Sequence, residues 1–342
     1  MTAPLHETSA GEATATVDGA PDAPGTPDKS GAAGKAIEGR SPWKIAWTRL
    51  KRDKLALAGA FVVIFLILVA IFAPVIVGLL GHPPDEFHED QIDPLFGTPI
   101  GSWGGINGDF LLGVEPVNGR DVFSRIVYGA RISLLVAFLA AVFAVFLGTI
   151  LGIIAGYFGG WIDAALSRVM DVMLAFPQLL FTIALVSVLP NELLGLDGSG
   201  VRIAALVLVI GFFGWPYVGR IVRGQTLSLR NREYVEAAQS LGAGRFYILR
   251  RELLPNLIAP ITVYATLMIP TNILTEAALS FLGAGVKPPT ASWGQMLSTA
   301  ITTYESDPLF MVIPGLAIFI TVLAFNLFGD GVRDALDPKG SR

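Results

Sequence analysis

The sequence predicts an all-α, polytopic membrane protein with six transmembrane helices. Three observations carry that reading. Hydrophobic residues make up 53% of the chain and charged residues only 15%, against about 25% charged in a soluble domain. The charges are clustered, which leaves six runs close to the ~20 apolar residues that a spanning helix needs. Lys and Arg are also unevenly shared: with the N-terminus inside, 19 fall in cytoplasmic segments and 5 outside, a strong positive-inside bias. Both termini are therefore expected in the cytoplasm.

Residues 1–40 are rich in Ala, Gly, Thr and Pro with no apolar run, and are expected to form a disordered cytoplasmic tail. The tail also lacks the apolar stretch of a signal peptide, so the first hydrophobic segment is read as a permanent anchor. Residues 41–81 hold an interfacial helix and the first span. Ser41 can cap that helix and Pro42 suits its first position. Trp43, Trp47 and Leu50 share one face, and Lys44, Arg49, Lys51, Arg52 and Lys54 crowd the others, as in a helix lying on the inner leaflet.

Leu55–Leu80 is the first expected span, followed by an extracytoplasmic loop over 82–130. A five-helix core over 131–337 completes the chain. Its spans are placed at Ile132–Ile162, Val172–Asn191, Ile203–Gly219, Leu257–Leu282 and Pro308–Gly329. Gly148, Gly152 and Gly156 recur every fourth residue and predict a close helix contact. Prolines 177, 216, 260, 270 and 314 fall in the spans, where neighbouring groups can satisfy the freed carbonyls.

The polar connection at 223–256 is long for a membrane chain and reads as two short helices. Asn231 is placed as the cap of the first. Tyr234, Ala237, Ala238 and Leu241 then share one face, and Glu233, Glu236 and Gln239 the other. Gly242-Ala243-Gly244 ends it, because glycine supplies the left-handed conformation of a helix terminus. Arg245 to Leu254 forms the second helix, and Pro255 marks the turn back into the membrane. Glu236-Ala237-Ala238, Gly242 and Leu254-Pro255, at this spacing, resemble the signature of permease subunits of ABC importers. Glu252 departs from it, standing where the general pattern has an apolar residue.

Two further stretches sharpen the resemblance. Leu112-Gly113, Gly119-Arg120-Asp121-Val122-Phe123-Ser124-Arg125 and Tyr128-Gly129-Ala130-Arg131-Ile132-Ser133-Leu134 are similar to the entry of the second span in permeases of dipeptide, oligopeptide and nickel ABC importers. Val114-Glu115 replaces the usual Thr-Asp there. Glu276 to Gly283, Pro288-Pro289 and Ser292-Trp293-Gly294 match as well, so the resemblance runs roughly from Trp43 to Pro338.

The resemblance implies that Tyr234, Glu236, Ala237, Ala238, Leu241, Gly242, Leu254 and Pro255 dock on a cytoplasmic ATPase. It also implies a second homologous permease subunit, two ABC ATPase subunits and an extracytoplasmic peptide-binding protein, assembled in the lipid bilayer of a bacterial plasma membrane. Glu276, counted from Leu257, is expected near the outer end of the fifth span within reach of water, as a helix–helix hydrogen bond or a pathway contact. Asp163, Arg168 and Asp171 cluster at the second cytoplasmic turn, where Arg168 and Asp171 can pair on one helix face.

No G-x-x-x-x-G-K-[ST] occurs, since the lone Gly34-Lys35 is followed by Ala36; ATP hydrolysis is assigned to separate subunits. No catalytic residue and no cofactor are expected. The chain has no cysteine, which excludes disulfides and thiolate sites. His82, Glu86, His88 and Glu89 lack a helix to fix them, so no metal site is assigned. A net charge of −4 with no basic stripe argues against nucleic acid. Peptide import is preferred, because no span carries the histidine or cysteine that would suit nickel. A nickel or nickel-chelate permease is the alternative, and an ion-coupled secondary transporter a more distant one.

Overall fold

The computed structural model describes residues 42–190, 192, 195 and 197–337. The tail at 1–40, the Ser41 cap, Asn191 and Pro338 lie outside the described residues, as do the side chains of Pro42 and Trp43. Helices dominate: α1 (Pro42–Leu50), α2 (Lys54–Ile71), α3 (Ala73–Leu80), α4 (Val122–Phe158), α5 (Gly160–Ala175), α6 (Gln178–Val188), α7 (Gly198–Leu229) and α8 (Glu233–Ser240). They are followed by α9 (Arg245–Phe281), α10 (Trp293–Ala300) and α11 (Pro308–Leu336). Among the described residues there is no β-strand, only the isolated bridges Ile92↔Pro99 and Val114↔Asp121.

Among the described residues, five helices are long and apolar enough to cross a membrane: α2, α4, α7, α9 and α11. The expected third span is not a straight helix. It is the pair α5 and α6, bent by 77°. Pro177 causes the break, because its ring excludes the helical conformation from the residue before it, and Phe176 is extended (φ −78°, ψ 132°). The first expected span is likewise interrupted, at Phe72, with Pro74 opening the first turn of α3. The second is displaced. It begins at Val122, where Asp121 accepts from the Phe123 backbone N–H (3.0 Å), and stops at Gly159 (φ 65°) instead of running to Ile162.

The α4–α7 pair has the most extensive contact, and the predicted glycine stripe is its seam. A Cβ on Gly148 would lie 2.7 Å from the Trp215 carbonyl oxygen, and one on Gly152 would lie 2.6 Å from that of Gly219. Backbone meets backbone here because nothing projects from the stripe. α5 is tied to α7 by ion pairs, Asp163 to Arg223 and Asp171 to Arg220. The expected Arg168–Asp171 pair is present at 4.0 Å but shares its carboxylate with Arg220. α11 packs on α2 and α9, and Arg49 Nη1 of α1 donates to the Asp337 carbonyl at 2.8 Å.

Candidate functional site

The polar loop is shorter than the 223–256 predicted from sequence. Residues 223–229 continue α7, and Arg245 already belongs to α9, so the connection is built around α8 alone. Asn231 does not cap α8. Arg232 occupies the cap position without a side-chain bond. Arg230 fixes the approach, its Nη1 donating to the Gly156 carbonyl at 3.0 Å. The other end closes as predicted: Gly242 is left-handed (φ 81°). Its N–H reaches the Gln239 carbonyl at 2.9 Å, and the Ala243 N–H reaches that of Ala238 at 3.0 Å. These are the two bonds of a Schellman terminus.

Pro255 is not a turn. α9 runs unbroken from Arg245 to Phe281, with a π-helical segment over Ile248–Leu253. An α-register would press the Pro255 ring on the carbonyl four residues back; the wider turn just ahead of it relieves that clash. The loop is therefore joined directly to a spanning helix. Val235, Ile248 and Leu253 are fully buried in one cluster with Met170, Val222 and Leu257, and hold α8 against the spans. Sequence reasoning missed these three, whose signal was only an apolar residue on the inward side of each short helix.

Tyr234, Ala237, Ala238, Leu241 and Gly242 come together as predicted, lining a 520 Å³ cleft with Ala243, Gly244, Tyr247 and Glu252. The departure from the family pattern thus places a carboxylate in the cleft wall. Glu236 faces the opposite side, beside Gln239, Arg230 and Arg245. Leu254 and Pro255 lie outside the cleft, and Leu254 instead lines a 1060 Å³ apolar groove between α4 and α9.

At the far end of the spans, Glu276 is fully buried, correcting the expectation of water access. It accepts from Ser133 Oγ of α4 (2.9 Å) and from Ser280 Oγ (2.8 Å). Ser133 Oγ in turn accepts from the Trp293 backbone N–H at 3.3 Å, so one carboxylate links α4, α9 and α10. Nearby, Arg125 has no exposed surface. It donates to Gln295 Oε1 (2.7 Å), to the carbonyls of Pro84 (3.2 Å) and Pro289 (3.1 Å), and lies 3.5 Å from Glu115. Arg120 clamps the same Glu115 through two bonds, of 2.5 and 2.9 Å. Among the described residues no three His, Cys, Asp or Glu side chains form a metal-binding group. His82 and His88 pack on Phe110, with ring centroids at 4.5 and 5.0 Å.

A multi-pass helical bundle with one capped, partly apolar loop at the end of its spans defines a membrane permease of the ABC importer class. The family described as binding-protein-dependent transport system inner membrane component matches residues 148–342, and the N-terminal TM domain of oligopeptide transport permease C matches residues 41–95. The chain belongs to the first of these families. It is 45% identical over 301 residues to the glutathione transport system permease protein GsiD of Shigella flexneri serotype 5b (strain 8401), covering 88% of this chain and 91% of that protein. It is 40% identical over 302 residues to the dipeptide transport system permease protein DppC of Alkalihalophilus pseudofirmus, covering 87% and 90%. A chain from inward-facing MetNI methionine ABC transporter is similar in structure with TM-score 0.49 and 20% identity, covering 63% of this chain and 97% of that one.

Proposed function

We propose that this chain is half of the translocation pathway of an importer for di- or oligopeptides, and that α8 couples it to a separate cytoplasmic ATPase. The observation that carries the coupling role is the cleft on α8, a partly apolar surface fixed by the Gly242 terminus and joined without a break to α9. ATP-driven closure of two ATPase subunits would push α8. The push would travel along α9, and access would alternate between the two sides of the membrane. The charge asymmetry supports placing α8 and both termini in the cytoplasm and the 82–121 segment outside. A single loop and a groove open along α4 and α9 fit one half of a passage, with a second permease supplying the other half and an external binding protein delivering the cargo.

Peptide cargo is supported by relatives whose names specify glutathione, a short peptide, and dipeptides. Deleting the gene is expected to abolish uptake of a labelled di- or oligopeptide and leave nickel-dependent enzyme activity normal. Intact peptide uptake with lost nickel uptake would overturn the assignment. For orientation, single cysteines at 90 and 243 in this cysteine-free chain are treated with an impermeant thiol reagent in intact spheroplasts. Labelling at 243 with none at 90 would reverse the topology.

A further inference from the structure

The turn from α4 into α5 and the approach to α8 enclose a second cleft, on the side of α8 away from Leu241. Its volume is 560 Å³, inside the range of about 300–1,000 Å³ common for small-ligand sites. Residues 157–162 line one part of it, and Arg230, Asn231, Glu236, Gln239 and Arg245 the other. Of these residues only Glu236 has a place in the coupling role proposed for α8.

Both arginines lack a counter-charge. The Arg230 side chain makes one hydrogen bond, to the neutral Gly156 carbonyl at 3.0 Å. Arg245 lies over the Phe158 ring, 5.8 Å from its centroid. Among the described residues neither is in an ion pair, whereas Arg220 and Arg223 on α7 are each paired with a carboxylate of α5. Asp163 has both oxygens engaged by Arg223. Glu236 is the one acidic residue in the lining, which leaves a surplus of one positive charge. The first turn of α5 adds donors, because Gly160, Trp161 and Ile162 border the cleft and no side chain caps that helix. A positive-inside flank explains arginines at this end of the spans, but not two unpaired guanidinium groups meeting in one cleft.

We propose that this cleft binds the phosphodiester headgroup of an anionic phospholipid of the phosphatidylglycerol type. A guanidinium matches phosphate oxygens through paired N–H donors, a geometry that an ammonium group cannot reproduce. A phosphodiester carries one negative charge, equal to the surplus of the lining. A nucleotide polyphosphate would bring several charges against the Glu236 carboxylate. The hydroxyls of a glycerol headgroup can donate to Glu236 and bond the amides of Asn231 and Gln239. The setting is interfacial. Trp161 is 80% exposed at the end of the spans, as tryptophans at headgroup depth are, and Phe158 also borders the apolar groove of α4 and α9. On the functional reading above, on which its place in the inner leaflet rests, a bound headgroup ties the α4–α5 turn to α8 and to the start of α9.

The test uses the permease complex, purified with its own partners, in nanodiscs of phosphatidylcholine. These are doped with a phosphatidylglycerol that carries a diazirine beside its glycerol backbone. Irradiation is expected to place adducts on residues 157–162 or on the first turn of α9, located by mass spectrometry. Excess unlabelled phosphatidylglycerol should suppress them, and phosphatidylethanolamine or inorganic phosphate should not. Arg230→Gln and Arg245→Gln are each expected to reduce them about fivefold, the contribution of one basic residue near an anionic surface. Arg230 also braces the loop, whereas Arg245→Gln removes only a ring contact and so should fold. Lys44→Gln, which takes an exposed cation from α1, should leave the adducts unchanged. Adducts only elsewhere, or undiminished in both arginine variants, would overturn the proposal. Suppression by inorganic phosphate would do the same by making this a site for a soluble anion, and suppression by phosphatidylethanolamine by removing the preference for an anionic lipid. Adducts that appear only once the ATPase is stripped away would give the cleft to the ATPase instead. The coupling role of α8 is judged separately: if adducts form as expected while phosphatidylglycerol leaves cargo-stimulated ATP hydrolysis unchanged, the lipid site stands and that role loses support.

Discussion

The two ends of the helical bundle are built on opposite principles. At the Arg125 end, charged groups are taken out of water and tied into the protein: Arg125 and Glu115 have no exposed surface and Arg120 almost none. At the α8 end the loop keeps few internal ties, with Val235, Ile248 and Leu253 inside and Leu241 and Phe246 88% and 74% exposed. A buried ion pair adds little net stability over an apolar replacement, but removing one member is costly because the other is left uncompensated. The Arg125 end is therefore held in one arrangement that resists change. The α8 end is held by a few apolar contacts and leaves an open surface.

The first way to break this contrast is Arg125→Met. It leaves Glu115 with one partner fewer and frees the carbonyls of Pro84 and Pro289 and the amide of Gln295. A loss of about 3–5 kcal/mol is expected, as for other buried pairs broken on one side. It should appear as a large drop in the unfolding midpoint of the detergent-solubilised protein. A midpoint within a degree or two of wild type would mean that this end is no more constrained than the other.

Glu276 sharpens the same contrast with a smaller effect. Glu276→Ala strands the hydroxyls of Ser133 and Ser280 in the bundle, and about 1–3 kcal/mol should be lost. Glu276→Gln keeps one acceptor oxygen and replaces the other with an NH2 donor, which the second serine hydroxyl can accept, and should recover most of that loss. If instead Gln abolished transport at unchanged stability while Ala did no worse, the carboxylate would have a role in the pathway beyond helix linkage.

At the α8 end, Gly242→Val carries a cost of roughly 1–2 kcal/mol, that of forcing a left-handed conformation on a branched residue. Beyond its two chain neighbours, no described residue places an atom within 4 Å of where its Cβ would sit, so the penalty is conformational and confined to the loop. The protein should insert normally and lose ATPase association or coupling of hydrolysis to uptake. Normal transport with normal association would show that α8 is not the coupling element, whatever its shape.

Much of this was legible in sequence, for identifiable reasons. Spans follow from the length of apolar runs, the α4–α7 seam from the period of Gly148, Gly152 and Gly156, and the close of α8 from Gly242, because each is a local pattern. What was not legible depends on partners far apart in the chain or on competing local terms. Arg125 meets Gln295 across 170 positions, and no periodicity announces that. Glu276 was placed at the watery end of its span by counting residues, but Ser133 and the short helix α10 cover it. Pro177 reads from sequence as a tolerated kink within one span, and Pro74 lies unremarked inside the first apolar run, whereas each sits at a break. Pro255 misled in the other direction, since a π-helical segment absorbs it without a turn.

The smallest stability effect tests the contrast most directly. Leu241 is the most exposed large side chain of the loop, and nothing in the core packs on it. Leu241→Ser should therefore change stability by less than about 0.5 kcal/mol, as surface substitutions do. If α8 exists to be covered, the same change should nonetheless weaken ATPase association, because truncating an apolar anchor at the centre of an interface typically costs about 1–2 kcal/mol or more. That is roughly tenfold in affinity, measurable by titrating purified ATPase onto the permease complex in lipid nanodiscs. The pairing of the two readouts is what matters. Loss of stability in step with loss of association would mean that Leu241 supports the loop from within. Loss of neither would leave its exposure without a partner, and the cleft it borders would not be the docking surface.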